Sequence, residues 1–453
     1  MNRQYPLRSE GRVSCARLVA AFAVMVCAAP ASAQDMAVEE SKPHCEDGVR
    51  LVNGVCLEGE LFLEGYANIR GGVRRGAAAL ALLELGLKVD LGTAAGAEGW
   101  SFGAGIFGIY GRQPTPTLIG SLAPVSSAEA LSTMRLSELW LERRFDGVAS
   151  VRFGQLAADA EFFTAEATEH LTNGTFGWPL GMSTALPSGG PAYPLSAPGI
   201  RLELGDPSED RGLRLAVFSG DPGGRYGIGT DPQRHNRFGT NFSFAGGAFY
   251  LAEAAIGARR PADDQPRPWV LKVGAWRHTG GFDDQRGDPA LYTATASGIR
   301  PDLEGTAPRR NGNYGIYAVG ETILWRNGSA NLAVFGRISA TPADRNPLTL
   351  YADGGFAWRE PFGRKGDTLS LGLAYARASA DGRAQDRALG LPLRDREVVA
   401  QLNYEFQIVP DRLYVRPLIQ WVSHPNAGAQ DDRVKDGRIR DAVTAGVRVR
   451  ILL

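Results

Sequence analysis

The side chains able to do polar chemistry recur at alternate positions among apolar ones. Glu138, Trp140 and Glu142 alternate with Leu139 and Leu141, and Arg152 lies between Val151 and Phe153. Arg201 and Glu203 separate Ile200, Leu202 and Leu204; Arg214 separates Leu213 from Leu215; Arg416 follows Val415. Arginines and carboxylates make charge-assisted hydrogen bonds, so such rows suit the gripping of a polar solute. Catalysis fits poorly. Same-face residues four apart on a strand, such as Glu138 and Glu142, lie ~13 Å apart, beyond the separation of a glycosidase acid pair. The chain has no HExxH and no nucleotide-binding glycine pattern between a strand and a helix. "GMSTA" at 181–185 lacks the strand a nucleophile elbow needs.

The elements that must position these residues read as strands. In "REVVAQLNYEFQIVPDRLYVRPLIQWVSH", residues 396–424, Val398, Ala400, Leu402, Tyr404 and Phe406 share one face, while Glu397, Gln401, Asn403, Glu405 and Gln407 fall on the other. After "VPD", Leu413, Val415, Pro417, Ile419 and Trp421 share a face opposite Arg416 and Gln420. This period of two describes a hairpin. Sixteen such runs are expected, near 59–68, 76–92, 99–113, 133–145, 149–157, 198–205, 212–219, 244–257, 268–278, 313–325, 329–340, 350–359, 367–379, 396–408, 412–423 and 440–452. A short helix near 159–171 is the one helical pattern of note.

Connections after even-numbered runs are mostly short ("DG" after 145, "RNGS" at 326–329, "VPD" at 409–411). Those after odd-numbered runs are mostly long: 114–132, 158–197, 220–243, 279–312, 380–395 and 424–439. A transmembrane barrel with both termini in the periplasm has short turns there and long loops outside. The chain therefore reads as all-β, a transmembrane antiparallel β-barrel of about sixteen strands. Its apolar face meets lipid and its charged face a water-filled lumen, since a barrel this wide is not filled by its own side chains. Glu138, Glu142, Arg152, Arg201, Arg214 and Arg416 are expected to line one charged wall. Trp140 points to the lumen by parity, and Trp421 suits an interfacial girdle.

Residues 1–33 have the basic start, short apolar core and "ASA" of a secretory signal peptide. Without them the chain carries 45 basic and 48 acidic residues, and no basic tract suggests a nucleic-acid partner. Residues 34–57 form a short periplasmic segment, and 58–453 the barrel. Cys45 and Cys56 in "HCEDGVRLVNGVC" are expected to form a small structural disulfide loop in an oxidising compartment. His44 alone does not complete a metal site.

"RLSELWLERRF", "VRFGQLAADAEF", "TFGWP", "YPLSAPGIRL", "YADGGFAWREPF", "DTLSLGLAYARAS" and the 396–424 hairpin occur in that order. Together they resemble the carbohydrate-selective porin family of OprB type over most of residues 60–450. The resemblance implies a sixteen-stranded channel in the Gram-negative outer membrane for passive diffusion of mono- or oligosaccharides, without a cofactor. It also implies contact with outer-membrane lipids and the assembly machinery. The chain departs from such barrels in ending on Leu453 rather than an aromatic residue.

The connection 158–197 holds the place of a third outer loop that folds into the lumen, and it contains Asp159, Glu161, Glu166, Glu169, His170, Trp178 and Tyr193. An aromatic ring can pack on a sugar's apolar face while arginines and carboxylates bond its hydroxyls. A constriction is therefore expected between this loop, with Trp178, and Arg152, Arg201 and Arg214. The rival readings are a general or export porin without sugar selectivity, an exported hydrolase, and a barrel plugged by its loops.

Overall fold

The computed structural model describes residues 48–145, 147–205, 211–224, 231–258, 266–286 and 308–453, with backbone alone at 294–295 and 298–299. Alternating side chains, frequent glycine and turn-forming ends build sixteen long antiparallel strands. These are β1 (Val55–Gly72), β2 (Gly76–Asp90), β3 (Trp100–Gly111), β4 (Thr133–Phe145), β5 (Ala149–Leu156), β6 (Ala197–Leu204), β7 (Arg211–Ser219) and β8 (Ala248–Gly257). They continue as β9 (Trp269–Asp283), β10 (Arg309–Asn327), β11 (Ala330–Ala340), β12 (Leu348–Arg359), β13 (Thr368–Ala378), β14 (Arg396–Val409), β15 (Leu413–Ser423) and β16 (Arg440–Leu452). Each pairs with its neighbours in sequence. β16 returns to β1, with Val449 opposite Leu63, and closes the barrel. All sixteen expected runs coincide with strands.

The alternation sorts the two faces. On β14 and β15, Leu402 (45% exposed) and Ile419 (47%) face outward, while Gln401 (1%) and Arg416 (3%) face inward. Turn chemistry holds one end tight: Gly328-Ser329 joins β10 to β11 with Gly328 at φ 64, the left-handed geometry that a two-residue hairpin turn favours. Exposed aromatics gather near both ends of the wall, with Tyr110, Tyr250, Tyr314 and Trp421 toward the long loops and Phe145, Trp269, Trp325 and Phe362 toward the short turns. Such paired girdles mark the two membrane interfaces. Trp421 belongs to the first of them.

Near the N-terminus a short strand, Gly48–Val52, pairs with the start of β1. Cys56 is disulfide-bonded; Cys45 and the signal-peptide segment lie outside the described residues, as does most of the 279–312 connection. The helix expected near 159–171 is reduced to one 3₁₀ turn, Glu166–His170, followed by the short helices Gly174–Gly177 and Leu180–Ser183.

The expectation of a mostly water-lined inner face needs correction. Gln401, Arg416 and Arg448 are buried, because two connections lie against them. Residues 157–196 bond to inward side chains from β4 round to β15. Phe163 N donates to Glu253 at 2.9 Å, Ala167 N to Glu321 at 2.8 Å and Asn173 N to Gln401 at 2.8 Å. Residues 112–132 do the same from another side: Leu122 and Ala123 N–H donate to Glu397, both at 2.8 Å, and Gln420 donates to Val125 O at 2.8 Å. The two segments also bond each other, Ser127 N to Thr172 O at 2.7 Å and Gly174 N to Pro124 O at 2.9 Å. Loop length alone did not single out the second segment.

Candidate functional site

Strand register assembles the charged cluster. Glu142 of β4 lies opposite Arg152 of β5, and Arg152 opposite Arg201 of β6. Glu203 of β6 lies opposite Arg214 of β7, and Arg214 opposite Glu253 of β8. Like charges directly opposite destabilise a sheet, so the Arg152–Arg201 pair needs anions nearby. Glu142 supplies one, 2.7 Å from Arg152 Nη2 and 3.5 Å from Arg201 Nη2.

Glu161, from the 157–196 segment, supplies another. It lies 2.8 Å from Arg152 Nη1, 2.7 Å from Arg201 Nε and 3.9 Å from Arg214 Nε, and Arg214 Nη1 donates to its backbone carbonyl at 2.8 Å. Arg201 also donates to Ser150 Oγ, and Arg214 to Glu203 at 2.8 Å. Three arginines thus face the three carboxylates Glu142, Glu161 and Glu203. The cluster is close to neutral, and Arg152 and Arg214 keep part of their surface open.

An aromatic face stands in the same place. Trp140 lies under the Arg152 guanidinium, 4.2 Å from ring centroid to Cζ, within cation–π range. Gly103 on β3 makes room for it: a Cβ there would fall 2.3 Å from the indole.

The other expected site residues are placed differently. Glu138 accepts from Ala157 N at 3.1 Å and so fixes the start of the segment. Trp178 is not beside the arginines; its indole N–H donates to Gly189 O at 2.9 Å, a bond within its own segment. Arg416 does not belong to the same wall. It sits on β15, ion-paired with Glu405 and 3.4 Å from Glu169 O. His170 Nδ1 lies 3.3 Å from the same Glu405, and burial lowers the His170 pKa against the pull of that carboxylate. The single expected wall is therefore two clusters, because β4–β7 and β15 are separate arcs of a closed barrel.

A third grouping went unnoticed in the sequence. Arg337 of β11 is buried with Asp353 of β12, at 2.5 Å, and the Tyr351 hydroxyl donates to Asp353 at 2.6 Å. The same guanidinium donates to the carbonyls of Phe163, Gly177 and Thr175, each at 3.1 Å, and Phe176 at 2.9 Å. Parity in "RISATPAD" puts Arg337 inward, and Asp353 lies in the "YADGGF" run, but no pattern pairs them. Among the described residues, no group of three metal-ligating side chains converges.

This architecture meets its match in residues 74–453, which fit the model of the carbohydrate-selective porin, OprB family. The chain belongs to that family. It is a carbohydrate-selective channel of the Gram-negative outer membrane. Among solved structures it is similar to Pseudomonas putida OprB at high pH, with TM-score 0.73 and 20% identity over 88% of this chain and 94% of that one. The low-pH structure of the same protein gives TM-score 0.50 and 14% identity over 88% and 93%. The outer membrane channel DcaP of Acinetobacter baumannii gives TM-score 0.51 and 11% identity over 90% and 100%. At these identities the likeness concerns the fold. No curated protein matches the chain.

Proposed function

We propose that sugars pass this porin at a constriction formed by Glu161 of the 157–196 segment and by Trp140, Glu142, Arg152, Arg201 and Arg214 of the wall. The observation that carries the reading is the neutral set of three arginines and three carboxylates beside an indole face. An uncharged polyol exchanges hydrogen bonds with both signs of charge as it moves, and its C–H face packs on the ring. A net-charged eyelet would favour ions of one sign; a balanced one favours neutral solutes, held weakly enough to leave. The protein acts as a passive channel and carries no catalysis. Its lipid face and last strand meet outer-membrane lipid and the barrel-assembly machinery, and Cys45 pairs with Cys56.

Single-channel conductance in a planar bilayer tests the reading. Added glucose or maltose reduces the wild-type current in a saturable way. Trp140→Ala weakens that block several-fold with little change in open conductance, whereas Trp178→Ala changes block far less. Ohmic current that ignores every sugar, in wild type and variant alike, makes this a general or export porin instead.

A further inference from the structure

A second charged grouping lies outside the permeation cluster, on the rim formed by the ends of β3 and β4 and residues 231–239. Above Leu139, β4 has no β5 partner, since β5 stops at Leu156. Residues 233–238 take that place: Leu136 N donates to Phe238 O at 2.9 Å, and Arg135 donates to the carbonyls of Arg237, Gln233 and Pro194 at 3.2, 3.1 and 3.0 Å. Between this segment and the end of β3 is a cavity of about 600 Å³ lined by Arg112, Arg234 and Arg237 together with Gln113, Gln233 and Ser132. Among the described residues no carboxylate lines it. All three arginines are exposed, and among the described residues none of them is in an ion pair. The acids closest in sequence are engaged: Asp231 accepts from Gln233 N at 2.9 Å, and Glu129 from Thr115 and Ser126.

The level of the cavity in the membrane identifies its occupant. Tyr110, two residues before Arg112 on the outward parity of β3, is 78% exposed, and Met134 on β4, opposite Gly108, is 65% exposed. Phe238, next to Arg237, is 59% exposed. These residues belong to the outer girdle, so the arginines stand immediately above the acyl boundary, at headgroup height. Apolar surface below and unpaired guanidinium groups above match an amphiphile whose headgroup carries phosphate, which arginine binds in bidentate fashion.

We infer that this rim cavity binds the phosphorylated headgroup of an outer-leaflet lipid, with Arg112, Arg234 and Arg237 on the phosphate and Tyr110, Met134 and Phe238 against its chains. The site is separate from the permeation cluster.

Native mass spectrometry of the detergent-solubilised full-length barrel, titrated with dioleoyl phosphatidic acid or phosphatidylcholine, tests it. The wild type retains phosphatidic acid at least tenfold better than phosphatidylcholine. R112A/R234A/R237A loses that preference while keeping wild-type single-channel conductance, which shows that the barrel is intact. The lysine triple variant keeps charge without the fork and falls between. Equal retention by wild type and the alanine variant overturns the site. Full competition by millimolar inorganic phosphate or glucose 6-phosphate overturns the lipid assignment in favour of a soluble anion. If the alanine variant shows no channels, single R112A and R237A are measured against the same two lipids, and unchanged retention in both overturns the site.

Discussion

Of the arginines that hold the 157–196 segment, those around Glu161 and the one at Asp353 differ in kind. Around Glu161, three arginines and three carboxylates share charge in a partly open web. Around Arg337, one guanidinium and one carboxylate are buried completely, and the remaining donors go to four backbone carbonyls. The web is open only at Arg152 and Arg214, while Arg201, Glu142 and Glu203 are buried; several arginines share several carboxylates there, so one contact can be exchanged for another. A buried pair is different, because removing one partner strands the other without solvent. The web therefore suits contact with a moving solute, and the clamp suits fixing the segment that presents Glu161. On the proposed reading, identical residue types serve permeation in one place and architecture in the other.

Breaking the clamp has the largest expected effect. Arg337→Ala leaves Asp353 buried and unpaired and costs roughly 3–5 kcal/mol. Urea unfolding read by tryptophan fluorescence shows the loss, and channel conductance rises with greater noise as the segment loosens. Replacing both Arg337 and Asp353 by apolar residues costs much less than the single change.

Next is the seat beneath the segment. Gly372 of β13 faces inward, and a Cβ there would lie 2.6 Å from Leu171 Cδ1 and from Phe176 Cζ. Gly372→Val overpacks this contact at a cost of about 1–3 kcal/mol and displaces the same segment without touching a charge. If G372V raises conductance as R337A does, displacement of the segment is the common cause. If only R337A does so, the clamp acts through its charge.

On the web side, Glu161→Gln leaves three arginines against two carboxylates. Stability falls by about 1–3 kcal/mol, because buried Arg201 loses the carboxylate at its Nε while Arg152 and Arg214 keep Glu142 and Glu203. Ion preference changes clearly: the reversal potential in a KCl gradient moves toward anion selectivity, and the shift shrinks at high salt as screening grows. An unchanged reversal potential places the narrow zone elsewhere.

The strands were legible because lipid on one side and polar groups on the other impose a period of two on every run, from Ile200–Leu204 to Val443–Ile451. Loop phase was legible because short turns and long connections alternate. What each inward residue touches was not. Arg416 and Arg152 have the same local signature, an arginine between apolar neighbours, yet only closure and register place one with Glu405 and the other with Glu142 and Glu161. Trp178 looked like a permeation residue because it is an aromatic in the right loop; its indole bonds that loop's own backbone. Parity alone puts Trp140 toward the lumen, and its pairing with Arg152 depends on Gly103, directly opposite it on the neighbouring strand. Such contacts are long-range, and a single sequence carries no period for them.

The smallest effect concerns Asp159, at the start of the segment. Its carboxylate accepts from Tyr193 N at 2.8 Å, but desolvation among loop and wall, with Glu138 nearby, raises its pKa to about 6. A carboxyl that holds its proton more tightly when folded gives the folded state extra protons between about pH 4 and 6, so this group's contribution to stability falls as pH rises through that window. Asp159→Asn keeps an oxygen for Tyr193 N and abolishes the titration. The variant is therefore more stable than the wild type at pH 7.5, and the two converge near pH 3.5, below the titration window. Urea midpoints at the two pH values read the difference directly. Equal midpoints at pH 7.5 mean that water reaches this carboxylate, and the point where the segment leaves β5 then belongs to the solvated side of the comparison with Glu161, not to the buried side with Arg337.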